Sequence, residues 1–203
     1  MKHILQLIRH GKTEANEKGL YSGQSDLPVT SGGLSELQKK RAKNLYRQTQ
    51  AYFTSGMRRA NDTFAALFKD IEYEELNCFA EYNFGDFELK KHDDLMKLPE
   101  YTEWIEDKSG EVFCPGGESY NGFRDRILTG LSSHFERMLS EGKESSTIVA
   151  HGGTIGVITM YFNDSEMHLY EAMPSHGEGY LLELEIDEHS VLLKNARRIK
   201  ENE

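Results

Sequence analysis

Two apolar segments that lie far apart in the chain end in the same way, with a histidine followed by glycine. Residues 4–8 run into Arg9-His10-Gly11, and residues 147–150 run into His151-Gly152. Short apolar runs that stop abruptly at polar residues are typical of buried strands in a parallel sheet. Amphipathic helical patterns lie between them, so we predict an α/β protein whose mainly parallel sheet is covered by helices on both faces.

Other patterns place further elements around this sheet. Residues 180–186 and 191–196 are separated by four polar residues and predict a terminal antiparallel hairpin. Residues 69–118 are irregular, acidic and aromatic, and we expect them to form an insertion or lid over the sheet. No linker or internal repeat divides the chain, so residues 1–203 are expected to form a single domain.

The two histidines point to one ligand site. In open α/β sheets, ligands bind outside the carboxyl ends of the strands. If the strands before His10 and His151 are parallel neighbours, their imidazoles converge, and the glycine after each histidine lets the backbone approach a ligand closely. A single histidine at a strand end is usually an ordinary polar residue. The interpretation therefore rests on both histidines having the same sequence context, an apolar segment before and a glycine after.

A pair of arginines indicates an anion at the same place. Ser55 follows the short strand predicted at residues 51–54 and can cap a helix whose first turn contains Arg58 and Arg59. Cations are disfavoured near the positive N-terminus of a helix. Arginines there are understandable if an anion is bound in front of the helix, between guanidinium groups and backbone amides.

Charge is distributed unevenly along the chain. The formal net charge is −10, but residues 1–60 carry +7 and residues 61–203 carry −17. An acidic protein lacks the basic surface of nucleic-acid and anionic-membrane binders, so we expect neither partner. The basic first third instead hints at a local anion site. Two cysteines and no apolar run long enough to span a bilayer lead us to expect a cytoplasmic protein without a disulfide framework.

The order of the motifs resembles the histidine phosphatase superfamily, also called the phosphoglycerate mutase-like family. The resemblance rests on segments 7–16, 22–33, 55–63, 81–88, 115–119 and 150–154. It extends from residue 4 to about residue 160, and it departs from the family pattern mildly, as at Phe87, where the family usually has Trp. It implies a three-layer α/β/α fold with a mainly parallel central sheet and an antiparallel edge from the C-terminal hairpin.

The resemblance implies a role for four residues at strand and helix ends. His10 would be the nucleophile that takes the phosphoryl group and becomes a phosphohistidine. Arg9 and Arg59 would clamp the phosphoryl oxygens, and His151 would complete the cradle as a donor. Arg59 rather than Arg58 matches the family arginine because it directly precedes the alanine of the motif.

Further residues would bind the substrate or move its proton. Glu81 would protonate the leaving oxygen and then activate the water that attacks the phosphohistidine. Asn16, Ser22, Gly23 and the backbone N–H of Gly152 would contribute to phosphate and substrate binding. A phosphate monoester carries a charge of about −1.5 to −2, which the arginines and histidines could neutralise, so we expect no cofactor and no metal ion.

The expected activity is hydrolysis of a small phosphorylated metabolite through a phosphohistidine. Within the family, a cofactor-dependent phosphoglycerate mutase is the alternative, although such mutases are generally longer and must retain a bisphosphorylated intermediate. A non-catalytic, phosphate-binding regulatory module is a second alternative. A metal hydrolase is disfavoured because the chain has no H-E-x-x-H, no C-x-x-C and no histidine pair at ligand spacing on one helix.

Substrate identity and oligomeric state are left open by the sequence. The expected partner is a small-molecule phosphate monoester, with alpha-ribazole phosphate, a sugar phosphate and a broad range of monoesters as alternatives, and a homodimer is compatible with the chain. We expect the leaving group to contact segments 69–118 and 161–178. The reachable candidates are Tyr21, Tyr82, Trp104, Tyr120 and His176.

Overall fold

A six-stranded sheet forms the centre of the computed structural model, which describes residues 1–163 and 168–200. The strands are β1 (Lys2–Arg9), β2 (Ala51–Thr54), β3 (Glu74–Glu75), β4 (Ser145–Ala150), β5 (Gly179–Ile186) and β6 (Val191–Ile199). Their order across the sheet is β3-β2-β4-β1-β5-β6, with parallel pairing from β3 to β1 and antiparallel pairing from β1 to β6. The predicted mainly parallel sheet with an antiparallel hairpin at its edge is confirmed.

The register of two central strands positions the histidine motifs. β1 and β4 are parallel neighbours, and Arg9 at the end of β1 lies opposite Ala150 at the end of β4. The backbone N–H of His10 then donates to the carbonyl of Ala150 at 3.0 Å. His10 and His151 therefore leave the same edge of the sheet side by side.

Helices cover both faces of the sheet. Within residues 1–163 and 168–200 they are α1 (Glu14–Lys18), α2 (Ser31–Ala42), α3 (Arg58–Leu67), α4 (His92–Leu95), α5 (Pro99–Glu106), α6 (Tyr120–Ser140), α7 (Gly152–Phe162) and α8 (Leu169–Ala172). Short 3₁₀ turns occur at Asn77–Phe79 and Gly85–Phe87. In this described part of the chain, no helix combines the length and the apolar character needed to cross a membrane.

Successive side chains along a strand point to opposite faces of the sheet, so the hydrophobic core forms two layers. Leu5 and Leu7 of β1 pack into the larger hydrophobic cluster, together with Phe123 and its neighbours on α6. Ile8 points to the opposite face and joins the smaller cluster, which includes Phe64 of α3. The sheet is therefore buried on both sides, and the predicted three-layer α/β/α arrangement is confirmed.

Residues 69–118 pack on the sheet through aromatic side chains. Their short helices, α4 and α5, contain Leu95 and Trp104, around which the sequence shows weak helical patches. Six of their side chains belong to the same cluster as the sheet and α6, namely Phe79, Tyr82, Phe87, Leu95, Tyr101 and Cys114. The single domain over residues 1–203 stays a prediction.

The start of α3 differs from its prediction. The helix begins at Arg58 after Met57, and Ser55 does not cap it. Its first free N–H, that of Arg58, instead donates to Oδ1 of Asp26 at 2.7 Å. The prediction of a Ser55 cap was wrong because the capping carboxylate comes from a distant loop, which leaves the Ser55 hydroxyl to the site described below.

A buried chain of hydrogen bonds joins β1, β4 and α6 away from the histidine motifs. Nδ1 of His3 donates to the carbonyl of Lys143 at 2.9 Å, so Nε2 of neutral His3 accepts from the hydroxyl of Ser146 at 2.9 Å. Nε2 of His134 donates to the same hydroxyl oxygen at 2.9 Å. Burial, together with the nearby His3 and Arg137, lowers the pKa of His134 to about 3. While both rings are neutral, the Ser146 hydroxyl can donate to His3 and accept from His134 at the same time.

We expect this buried pair to make the fold sensitive to acid. In the unfolded chain a histidine takes up a proton near pH 6.5, whereas folded His134 does so only near pH 3. Its contribution to stability is therefore complete above pH 6.5 and is lost as the pH falls towards 3. Between pH 7.5 and 5 this loss amounts to about 2 kcal/mol. Urea unfolding at the two pH values should show a smaller loss for His134→Phe; an identical loss would contradict the assignment.

Candidate active site

His10 is held in the tautomer that a nucleophile needs. Its Nδ1 lies 2.7 Å from the carbonyl oxygen of Gly11, which can only accept, so Nδ1 carries the proton and Nε2 has a free lone pair. The side chain is 4% exposed. Burial and the nearby cations Arg59 and Arg9, with His176, lower the pKa of His10 well below its ordinary value. The ring is therefore neutral at neutral pH.

The two arginines at the start of α3 have different surroundings. Arg58 is exposed, whereas Arg59 is 1% exposed and points into the site. The Nη1 and Nη2 atoms of Arg59 donate to the carbonyls of Ser25 and Gly23 at 2.9 and 2.7 Å. Its Nε donates to Nδ1 of His151 at 3.2 Å. Of the pair, Arg59 is the one that the structure brings to the histidines, as the motif alignment predicts.

His151 is engaged through both ring nitrogens. Its ring centroid lies 5.2 Å from that of His10. Because Nδ1 accepts from Arg59, the neutral ring carries its proton on Nε2, which donates to the hydroxyl of Ser55 at 2.7 Å. Burial, and then Arg59, lowers the pKa of His151 well below its ordinary value. The donor role implied by the resemblance therefore requires that a bound anion displaces Nε of Arg59 or brings a second proton to the ring.

Arg9 has a donor that no protein atom satisfies. Its Nη1 donates to the carbonyl of Pro174 at 2.8 Å, but its Nε is buried without a partner. A Cβ atom added to Gly152 would lie 3.0 Å from Cζ of Arg9, so this glycine makes room for the guanidinium group. Burial lowers the pKa of Arg9 while the carboxylate of Glu81 opposes the shift. A cation with a buried and open N–H donor is suited to an anionic ligand.

Backbone N–H groups hold the carboxyl group of Glu81 in place beside Gly152 and Gly153. Its Oε1 accepts from the N–H of Tyr82 and its Oε2 from the N–H of Gly153, both at 2.9 Å. From α6, the guanidinium of Arg126 donates to the carbonyls of Cys78 and Ala80 at 2.9 and 3.0 Å and holds the segment that carries Glu81. Glu81 is 9% exposed, and its carboxyl group faces the cavity that Arg9 also lines.

Adding a methyl group at Gly153 is expected to displace Glu81. In the variant Gly153→Ala the new Cβ would overlap Oε1 of Glu81, and its contacts involve this carboxyl group rather than an arginine. For the phosphate-ester hydrolysis that the resemblance implies, we expect kcat to fall by about 10- to 100-fold, since a small misplacement of a catalytic group has effects of this size. Binding of inorganic phosphate, measured by calorimetry, should change by less than about threefold. A variant with unchanged kcat would contradict the position assigned to Glu81.

Four of the predicted binding residues, Arg9, Asn16, Ser22 and Gly152, line a cavity of about 660 Å³ at the sheet edge. Oδ1 of Asn16 accepts from the N–H and the hydroxyl of Thr13, so the amide nitrogen is the group left to face a ligand. The hydroxyl of Ser22 is buried without a partner. Gly23 serves the site through its carbonyl, which binds Arg59, and a side chain there would collide with the backbone of Tyr82.

Aromatic side chains form much of the cavity wall. Among the predicted candidates for contact with the leaving group, Tyr21, Tyr82, Trp104 and Tyr120 line it, joined by Phe84, Phe123 and Tyr170. His176 instead lies against His10, with their ring centroids 5.4 Å apart. Of the predicted segment 161–178, residues 164–167 lie outside the described residues.

Two contributors were missed by sequence reasoning. Ser55 holds His151, and Arg126 holds the segment before Glu81. The serine of the motif at residues 55–63 was a usable signal for the first, whereas Arg126 belongs to the charged run Arg124-Asp125-Arg126, in which no local pattern distinguishes it. Among the residues that the structure describes, no group of three or more His, Cys, Asp or Glu side chains is arranged to hold a metal ion.

Comparison with known proteins points to one family. Residues 5–197 match the family described as the histidine phosphatase superfamily, branch 1. The chain is 30% identical over 163 residues to the adenosylcobalamin/alpha-ribazole phosphatase of Escherichia coli (strain K12), covering 76% of each protein. It is also 30% identical over 170 residues to the 2,3-bisphosphoglycerate-dependent phosphoglycerate mutase of Parvibaculum lavamentivorans, covering 79% of this chain and 80% of that protein. The crystal structure of the alpha-ribazole phosphatase from Shigella flexneri superposes with a TM-score of 0.75 at 26% identity, covering 94% of both chains.

Proposed function

The chain belongs to the histidine phosphatase superfamily, and on this basis we propose that it hydrolyses small phosphate monoesters through a phosphohistidine on His10, without a metal ion. The observation that carries the proposal is the neutral, buried His10 with a free Nε2, beside buried Arg59 and half-buried Arg9 with its open Nε donor. Arg9 and Arg59 supply fixed positive charge where a phosphoryl group would bind, the work that a divalent ion does in other phosphatases.

The first half of the reaction transfers the phosphoryl group to the enzyme. The lone pair on Nε2 of His10 attacks phosphorus, and the bond from phosphorus to the leaving oxygen breaks. Glu81, carrying a proton, gives it to that oxygen, so an alcohol departs. As Nε2 becomes bonded to phosphorus, positive charge develops on the ring, and the hydrogen bond from Nδ1 to the Gly11 carbonyl stabilises it.

The second half returns the enzyme to its starting state. The carboxylate of Glu81 takes a proton from water, whose oxygen attacks phosphorus, and the bond from phosphorus to Nε2 of His10 breaks. Inorganic phosphate leaves, and Glu81 again carries the proton that it used in the first half. Asn16, Ser22 and the backbone N–H of Gly152, together with His151, are proposed to bind the phosphoryl oxygens, and the backbone carbonyl of Gly23 to hold Arg59.

The cavity beyond the phosphoryl site favours hydrolysis over the mutase reaction. Its wall is rich in aromatic side chains, and apart from Arg9 the cations that line it in the described chain are Lys108 and Arg124. Arg124 is already paired with Asp125 at 2.8 Å. Such a cavity suits a leaving group with apolar surface better than phosphoglycerate, whose short carbon skeleton carries a second negative charge. A small-molecule monoester is likewise favoured over nucleic acid by the net charge of −10.

One assay series tests the proposal. Purified protein is incubated with p-nitrophenyl phosphate in EDTA, and separately with 3-phosphoglycerate with and without 2,3-bisphosphoglycerate. We expect hydrolysis that EDTA does not reduce, and slow or no interconversion of phosphoglycerates. Robust interconversion that depends on the bisphosphate would establish the mutase instead, and phosphate binding without turnover of either substrate would establish a regulatory module. A panel of phosphorylated metabolites then identifies the substrate.

A further inference from the structure

One half-buried histidine of the site has no part in the mechanism above. His176 lies in the loop between α8 and β5, with its ring edge-on to that of His10 at an interplanar angle of 68°. Three hydrogen bonds tie the loop to Arg9 at the end of β1, one of them from the Arg9 N–H to the carbonyl of Glu178 at 2.8 Å. The N–H of Gly177 donates to the carbonyl of Arg9 at 2.9 Å, and Nη1 of Arg9 donates to the carbonyl of Pro174 at 2.8 Å. The loop is therefore fixed to the strand that carries the nucleophile.

Contacts from the helix side fix the same loop. The hydroxyl of Tyr46 donates to the carbonyl of Gly177 at 2.7 Å, and Lys40 of α2 forms an ion pair with Glu178 at 3.2 Å. Gly177 adopts a φ of +68°, and a Cβ atom there would lie 2.8 Å from a methyl group of Leu37. The turn is therefore tight and packed on α2. The position of His176 over His10 follows from these contacts.

The Nε2 atom of His176 is buried and has no hydrogen-bond partner. A buried polar atom without a partner is costly, so native structures rarely leave one without a function or a ligand. Nε of Arg9 and the hydroxyl of Ser22 share this condition, and both belong to residues that line the cavity. A phosphoryl group has enough oxygen atoms to accept from several such donors at once.

The ring of His176 is neutral at neutral pH. Burial, with the positive charges of Arg9 and Lys12, lowers its pKa to about 3. A neutral imidazole carries a single N–H, and with the proton on Nε2 it is a donor that adds no charge to the site. His176 therefore differs from Arg9 and Arg59, which supply both hydrogen bonds and charge.

We propose that His176 is a further catalytic residue, whose Nε2–H donates to an oxygen of the phosphoryl group as that group moves to and from His10. The inference rests on the proposed function, because it assumes that His10 receives the phosphoryl group. The ring lies against the nucleophile rather than along the aromatic wall, so its contact is with the transferred group and not with the leaving group. It acts equally on every monoester that the enzyme accepts.

Two substitutions separate a donor from a packing residue. His176→Phe keeps a ring against His10 but removes the N–H, whereas His176→Gln removes the ring and keeps an N–H at similar reach. We expect kcat/KM for p-nitrophenyl phosphate to fall by about 100-fold in His176→Phe, the size of effect that loss of one such donor has, and by much less in His176→Gln. Thermal unfolding of both variants is measured alongside. Full activity in His176→Phe, or the reverse order of the two variants, would overturn the proposal.

Binding of inorganic phosphate gives a test that does not require turnover. Calorimetry should show phosphate binding weakened by roughly tenfold in His176→Phe. In the unaltered protein, the ¹⁵N resonance of His176 Nε2 should shift when phosphate binds; an unshifted resonance would overturn the contact whether or not the variants fold. If the unaltered protein hydrolyses no ester and yet shows both effects, the proposed function fails and the contact of His176 with phosphate stands.

Discussion

Replacing His10 by alanine is expected to abolish hydrolysis of p-nitrophenyl phosphate, with kcat lower by about 10⁴- to 10⁶-fold. Losses of this size follow removal of a nucleophile that forms a covalent intermediate, because the two-step route is then closed. Of the two histidines that leave the sheet edge side by side, only His10 has this arrangement: Nε2 of His151 donates to Ser55, whereas Nε2 of His10 is free. His151 therefore cannot take over the attack.

The intermediate itself is measured with ³²P-labelled substrate and rapid quenching. A phosphohistidine should appear in the unaltered protein, survive base and be lost in acid, and it should be absent from His10→Ala. His189→Ala is the matched control, because His189 is exposed in the turn between β5 and β6 and should leave turnover and labelling unchanged. Turnover that survives in His10→Ala, or label that persists there, would remove His10 from the mechanism.

The strand ends could be predicted because each is encoded locally. The apolar segments before His10 and before His151 each end abruptly at a polar residue. Because the two strands pair in parallel, their ends must meet at one edge of the sheet. The C-terminal hairpin is equally local, since four polar residues separate two apolar strands. In such segments the residues that determine the structure are neighbours in the chain.

Contacts between distant residues limited the prediction elsewhere. Ser55 has the residue type of a helix cap, but its hydroxyl holds His151 while Asp26 caps α3 from another loop. Nothing near Ser55 in the chain distinguishes the two uses, because they differ only in which groups the fold brings within hydrogen-bond reach. Arg126 and His176 are similar cases, since Arg126 holds backbone carbonyls 45 or more positions away and His176 lies against His10.

Family motifs placed the site residues but not their hydrogen bonds. The motif alone selected Arg59 over Arg58. The structure shows how the two differ, because the guanidinium of Arg59 is buried and donates to His151, whereas Arg58 is exposed. The state of His151 could not be anticipated from its motif, because it depends on the proton donated by Arg59. Arg59 and His151 therefore bind each other in the structure, and under the proposed function a phosphoryl group would compete for both.

Removing the guanidinium of Arg59 is expected to lower kcat/KM by about 10³-fold or more. An arginine that neutralises a transferring phosphoryl group contributes about 10³ to 10⁵ in rate. Arg59→Met removes that charge and also the donor that orients His151. Arg58→Met is a matched control, since it makes the same change one residue earlier, on the solvent side of α3, and should keep activity within about twofold.

Two further readouts distinguish loss of charge from loss of structure. Arg59→Met leaves the carbonyls of Gly23 and Ser25 without their donor, which is expected to cost about 1–3 kcal/mol each in unfolding free energy, whereas Arg59→Lys keeps the charge and should retain more activity. Arg59 also lowers the pKa of His10, so without it that pKa rises towards its ordinary value. Because only neutral His10 attacks, the acid limb of kcat/KM should move to higher pH in Arg59→Met and stay in place in Arg58→Met. Equal effects of the two methionine variants would mean that Arg59 does not act on the phosphoryl group.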